Sequence, residues 1–185
     1  IQNPFKEKLL QTDTAFIKVD YSKVIDELEG ISPKSLPNTQ KYELAYSYIQ
    51  GLEFSDDQRK VILNNVTLKS DDLYLNYWIQ VGRNDFEDAL DTAKRINDSD
   101  LIIYALTQEM KKVREDDSLS GKDRETKLES LEGEYKKYWD SRSQLLTSDS
   151  SSNASTSSSP SSQDKPSESK PSSEKKTSPS SSSSN

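Results

Sequence analysis

Across the first 146 residues, apolar positions recur at spacings of three and four and never alternate over a sustained stretch. This pattern predicts helices throughout and no strands. Asn3 and Pro4 open a first helix as a cap and a first-turn proline, with Phe5, Leu9 and Phe16 as its buried face up to about Lys18. Asp20 caps a short second helix carrying Val24, Ile25 and Leu28, which ends at Gly30. ISPKSLPN, with its two prolines, is a loop. A third helix from about Thr39 places Tyr42, Ala45, Ile49 and Leu52 on one face. Ser55 and Gln58 form a capping box that starts a fourth through Val61, Ile62 and Val66. Ser70-Asp71-Asp72 opens a fifth, LYLNYWIQV, closed by Gly82; FEDALDTAKRI is the sixth, and a seventh runs from about Ser99 to Arg114. The last, from about Ser120 to Leu146, carries a stripe of Leu128, Leu131, Tyr135, Tyr138 and Leu145.

Helices five and six read as an antiparallel pair, and NDFEDALDTA is similar to the start of the second helix of a tetratricopeptide repeat, where a small residue lets two helices approach closely. VDYSKVIDELEGI has the same skeleton, and DDQRKVILNNV is a weaker copy. The markers Val24, Val61 and Ala89 lie 37 and 28 residues apart, on either side of a mid-thirties period. Tyr77 stands where the repeat wants Gly or Ala. A non-repetitive bundle remains the other reading. The favoured expectation is an all-α fold: antiparallel helix pairs in a degenerate tetratricopeptide-like solenoid with a long C-terminal helix.

Composition divides the chain. Residues 147–185 hold 20 serines and four prolines, with Ala154 as the single apolar side chain. Such a segment buries too little to offset its ordering entropy, so a disordered tail is expected after a helical domain of residues 1–146. Four acidic and four basic residues cancel in the tail, so the net charge of −7 belongs to residues 1–146. An acidic domain lacks the clustered cations that phosphate backbones require, and nucleic acid is not an expected partner.

The chain has no histidine and no cysteine, which removes imidazole acid/base chemistry, thiol nucleophiles, zinc ribbons and disulfides. Asp56-Asp57 and Asp71-Asp72 fall at helix starts, where carboxylates interact with free N–H groups, and adjacent helical side chains diverge. Asp116, Ser118, Ser120 and Gly121 imitate a calcium loop, but its twelfth position is Lys127 instead of a bidentate Glu. Ser167 to Lys170 and Ser172 to Lys175 match a nucleophile spacing inside the tail, where nothing would desolvate the lysine. No catalytic, cofactor-binding or metal-binding residue is expected, and no enzyme. Met110 is the single methionine and Ile1 the first residue, which points to something removed upstream.

The aromatic residues carry more information. Tyr42, Tyr46, Tyr48, Tyr74, Tyr77, Trp78 and Tyr104 crowd the middle helices; most are expected in the core, and where they cover several faces of one helix some must be exposed or meet a partner. In the long last helix, Tyr135, Tyr138 and Trp139 make a stripe with Leu128 and Leu131 that reads first as core packing; they are also the candidate partner-binding residues, because Tyr and Trp are preferred interface anchors.

LPNTQKYELAYSYI and QRKVILNNVTLKSDDLYLNYWIQVGRNDFEDALDTAKRINDSDLIIYAL, with the long helix after them, resemble the C-terminal extracytoplasmic domain of the EssB/YukC family over roughly residues 5–146. These are membrane components of the type VII secretion system of Gram-positive bacteria. The resemblance implies a non-enzymatic structural and assembly subunit with a cytosolic pseudokinase-like domain, one transmembrane helix upstream of residue 1, and this domain outside the cell membrane. It implies a homodimer in contact with other membrane subunits of the secretion system. The alternative is a helical-repeat peptide-binding or chaperone-like adaptor at the cell surface.

Overall fold

A computed structural model describes the backbone of residues 3–69 and 71–157, with side chains within 3–68 and 71–142. The helices are α1 (Pro4–Ile17), α2 (Tyr21–Leu28), α3 (Asn38–Gln50), α4 (Asp56–Lys69), α5 (Asp72–Gly82), α6 (Phe86–Ile96), α7 (Ser99–Arg114) and α8 (Gly121–Ser157). A single 3₁₀ turn, Pro33–Ser35, interrupts the proline loop. No strand occurs among the described residues. The chain divides into two compact units, residues 1–138 and residues 139–185.

Local chemistry sets most helix starts. Asn3 Oδ1 accepts from the Phe5 N–H at 3.1 Å, Asp20 Oδ1 from Lys23 at 3.2 Å and Asp71 Oδ1 from Tyr74 at 2.9 Å. The capping box closes in both directions: the Gln58 N–H donates to Ser55 Oγ at 3.1 Å, and the Ser55 N–H to Gln58 Oε1 at 3.0 Å. Asp98 Oδ1 receives the N–H groups of Asp100 and Leu101 at the head of α7. The first two acidic pairs therefore serve helix N-termini: Asp71 as a cap, Asp56 and Asp57 in the first turn of α4.

Within the first unit the core is centred on α5. Tyr74, Leu75, Tyr77, Trp78, Ile79 and Val81 are all buried, so this helix is apolar on nearly every side and has neighbours all round. It packs extensively on α3 and α6, and α6 on α7. On α6, Phe86, Ala89, Leu90 and Ala93 face inward while Glu87, Asp88 and Asp91 face water. Buried leucines at 28, 44, 75 and 106 would each cost about 2–5 kcal/mol on truncation to alanine.

The repeat signature is realised unevenly. Two of its markers, Val24 and Ala89, are fully buried, but Val61 is 61% exposed. A regular array would pack α4 against α5 as α6 packs against α7. Here α4 touches α5 only slightly and lies mainly on α3, with Val66 in the core and Ile62 and Leu63 packed against it. Tyr77 is buried at the small-residue position, and its hydroxyl donates to the Leu101 carbonyl on α7 at 2.7 Å. The close helix approach occurs instead at Gly82, where an added Cβ would lie 2.1 Å from Cγ of Tyr48.

Two boundaries differ from expectation. Phe5 is 40% exposed, and the inner face of α1 is made by Thr12 and Ala15 with Leu9 and Phe16 beside them. Helix α8 passes the expected end at Leu146, because neither proline nor glycine stands between Leu146 and Pro160. The remainder of the expected tail, residues 158–185, lies outside the described residues.

Candidate interaction surface

The partner-binding candidates lie on α8, whose first turns are fixed by polar contacts. Ser120 Oγ accepts from the Asp123 N–H at 3.1 Å. Arg124 Nη2 donates to the carbonyls of Asp116 at 2.6 Å and Leu119 at 3.2 Å, in the turn after α7. Lys94 of α6 pairs with Glu134 at 2.9 Å, a contact that raises the lysine pKa through its hydrogen bond to the carboxylate. Both partners are more than a third exposed, so the pair contributes under about 1 kcal/mol.

Apolar spacing decides which way the tyrosines face. Leu128, Leu131, Tyr135 and Tyr138 recur at three and four, and Leu131 is buried. Tyr135 and Tyr138 are half-buried and packed against the core, so each has only part of its ring available. Lys137 Nζ lies 5.8 Å from the Tyr138 ring centroid. In the second unit, Trp139 is 43% exposed with the Arg142 guanidinium 5.3 Å over its ring. Of the three candidates, Trp139 presents the largest apolar area to water. The Leu145 side chain lies outside the described residues.

Other apolar side chains are exposed, among them Val61, which the spacing places on the inner face of the fourth helix. Leu10, Ile17 and Val19 on and after α1, and Val61 and Leu68 on α4, are more than half exposed. Val19 has φ of 62°, a left-handed conformation that is costly for a β-branched residue. Periodicity marks such residues as apolar without saying whether a neighbour covers them. Beside them, Phe16, Tyr21, Tyr42 and Tyr46 form a half-buried aromatic cluster with centroid separations of 5.3–6.0 Å.

Arginines supply a second feature that periodicity does not reveal. Arg83 Nη2 donates to the carbonyls of Leu28 and Ile31, both at 3.0 Å, and its Nε donates to Tyr48 Oη at 3.3 Å. It thereby ties the end of α5 to the end of α2 and to α3. Arg59 does the same locally for the end of α3, through Leu52 and Phe54 at 2.7 and 3.1 Å. Helix ends leave carbonyls without intrahelical partners, and the guanidinium fork meets two at once. Residues proposed by motif as metal or acid/base groups have simpler roles. Asp116 accepts from the Ser118 N–H and hydroxyl, which lower its pKa, and so shapes the turn before α8.

Among the described residues no helix is long and apolar enough to cross a membrane, and no group of three or more acidic, His or Cys side chains is placed to hold a metal ion.

Comparison with known proteins is consistent with this all-helical arrangement. A solved structure of the extracellular fragment of EssB from Geobacillus thermodenitrificans is similar with a TM-score of 0.73 and 36% identity. The match covers 80% of this chain and 98% of that one. The ESX secretion system protein YukC of Bacillus subtilis is 30% identical over 135 residues, 72% of this chain and 30% of that protein. The type VII secretion system protein EssB of Staphylococcus aureus is 31% identical over 144 residues, 76% of this chain and 30% of that protein. An uncharacterized protein of Clostridium acetobutylicum is 33% identical over 129 residues, or 70% of this chain. The chain thus spans about a third of the length of these relatives. Residues 1–141 match the family described as WXG100 protein secretion system (Wss), protein YukC. On that match and these relatives together, the chain belongs to the YukC family of secretion-system proteins.

Proposed function

We propose that this chain is the extracytoplasmic part of a non-enzymatic structural and assembly subunit of a type VII (ESX-like) secretion apparatus, and that it works through protein–protein contacts. The observation that carries the reading is the likeness to the EssB extracellular fragment, which extends over 98% of that chain. The whole subunit is a homodimer held in the cell membrane by one transmembrane helix on the N-terminal side of these residues. It meets other membrane subunits of the system. The relatives, about three times as long as the matched region, leave room for such an anchor. Trp139, with Tyr135 and Tyr138 as flanking contacts, is the anchor of the dimer. An exposed indole beside a guanidinium is the type of group that dominates interfaces. Two copies tethered to one membrane have a raised effective concentration, so a weak contact suffices.

A peptide-binding adaptor would need a continuous apolar groove. The apolar recess bounded by Phe54, Val61 and Ile62 is short and flanked by Asp57 and Gln58, which favours the assembly reading. The test is Trp139→Ala in the full-length anchored protein, with dimer crosslinking and secretion read together. The expected result is loss of crosslinks and reduced secretion at normal protein levels. Persistent crosslinks with normal secretion would overturn Trp139 as the anchor.

A further inference from the structure

Helix α1 meets α3 across an acidic contact that the assembly reading does not use. Glu43, on α3, is 6% exposed, and its Oε1 is buried with no hydrogen-bond donor facing it. The group within hydrogen-bonding reach of its carboxyl is another carboxyl, Asp13 of α1. Two ionised carboxylates in contact repel, and a buried acceptor without a donor is costly. One proton removes both penalties. A neighbouring amide lies at the same junction. Gln40 is itself 5% exposed, and its Nε2 donates to Asp13 Oδ1 at 2.7 Å. That bond already meets Asp13 with a donor, and a protonated Glu43 supplies an O–H that donates across the junction.

Among the described residues no cation relieves the contact. Lys41, two residues before Glu43, pairs with Asp72 at the head of α5. Arg83 of α5 is committed to the Leu28 and Ile31 carbonyls, and Arg59 of α4 to those of Leu52 and Phe54. On α2, the Asp20 carboxylate caps its own helix through the Lys23 N–H. The charge that acts on Glu43 is that of Asp13.

We propose that a proton on Glu43, facing Asp13, is a latch between α1 and α3, and that losing this proton loosens α1 from the helical body. Burial first, then the hydrogen bond to Asp13 and its charge, push the Glu43 pKa up to about 8 from an ordinary 4.5. Because the folded chain holds this proton more tightly than the unfolded chain, the stabilisation is full below the ordinary value. It declines as pH rises through the interval and is lost above about 8. The latch therefore closes at neutral and acid pH and opens under mildly alkaline conditions. Helix α1 packs on α2 and α3, so the loosening would be felt there, while α5, α6 and α7 pack without it.

The experiment compares the 185-residue chain with Glu43→Gln from pH 5 to pH 9.5, following thermal midpoint and amide exchange corrected for its intrinsic pH dependence. The wild-type midpoint is expected to fall by several degrees across this range, and the glutamine variant to lose that slope. In the wild type, exchange at Ala15 and Phe16 should quicken by about tenfold or more at the alkaline end while Ala105 and Leu106 stay protected. Parallel slopes in the two proteins, or a Glu43 carboxyl carbon that titrates near the ordinary glutamate value by NMR, would overturn the latch. If Glu43→Gln fails to fold, Asp13→Asn replaces it, offering Glu43 an amide donor and moving the step to lower pH. An unmoved step in that variant would overturn the proposal equally.

Discussion

Gly82→Ala adds one methyl group at the crossing of α5 and α3, and its cost follows from the geometry. The new Cβ would lie 2.1 Å from Cγ of Tyr48 and 2.5 Å from its Cβ and Cδ1. Rotating the tyrosine ring does not help, because its Cβ is fixed by the backbone of α3. Carbon atoms rest about 3.5–4.0 Å apart, so the two helices must separate by about 1.5 Å at this point. Overpacking of this kind costs about 1–3 kcal/mol. The separation also strains the hydrogen bond from Arg83 Nε to Tyr48 Oη, and with it the grip of Arg83 on the end of α2. That adds about 1–2 kcal/mol. Alanine returns up to about 1 kcal/mol over glycine inside a helix, and less here because Gly82 is the last residue of α5. The net loss is about 2–4 kcal/mol, which lowers the thermal midpoint of a folded part of this size by about 10 °C. Far-UV circular dichroism during heating and in urea measures it. Gly133→Ala is the matched control: nothing lies within 4 Å of the added carbon, it sits inside α8, and its midpoint should stay level or rise slightly. A Gly82→Ala midpoint at or above wild type would refute the close crossing and the reasoning built on it.

Ala89→Leu forces a larger side chain into a site with no exposure, and is expected to cost about 1–3 kcal/mol in urea unfolding with the slope unchanged. Arg83→Ala strands the Leu28 and Ile31 carbonyls and should cost about 2–4 kcal/mol; Arg83→Lys should recover less than half of it, since one ammonium does not reproduce the fork.

Much of this protein could be read from local chemistry. Helix existence and type followed from three-four spacing, and helix starts from Asn3, Asp20, Ser55 with Gln58, and Asp71, because a cap and its N–H lie within a few residues of each other. What the sequence left open was set by distant partners. Val24, Val61 and Ala89 carry the same periodic signal, yet two are buried and Val61 is exposed, because burial depends on whether another helix arrives. The repeat motif drew attention to Tyr77 as the close-packing position, while the close approach is at Gly82, set by Tyr48 thirty-four positions earlier. Gly82 and Arg83 were visible within the family-like texture as letters without a reason. Their reason is the α2–α3–α5 junction.

The candidate surface divides along the same line. Sequence alone placed Tyr135, Tyr138 and Trp139 on one helix and removed histidine and cysteine chemistry outright, because composition needs no fold to be true. Only the tertiary structure separated two half-buried core-facing tyrosines from an exposed tryptophan. It alone brought Glu43 against Asp13, thirty positions apart. A residue type is fixed by its codon, and local structure by neighbours along the chain. Burial, close approach and proton affinity are fixed by neighbours in space, which enter only when the helices have packed.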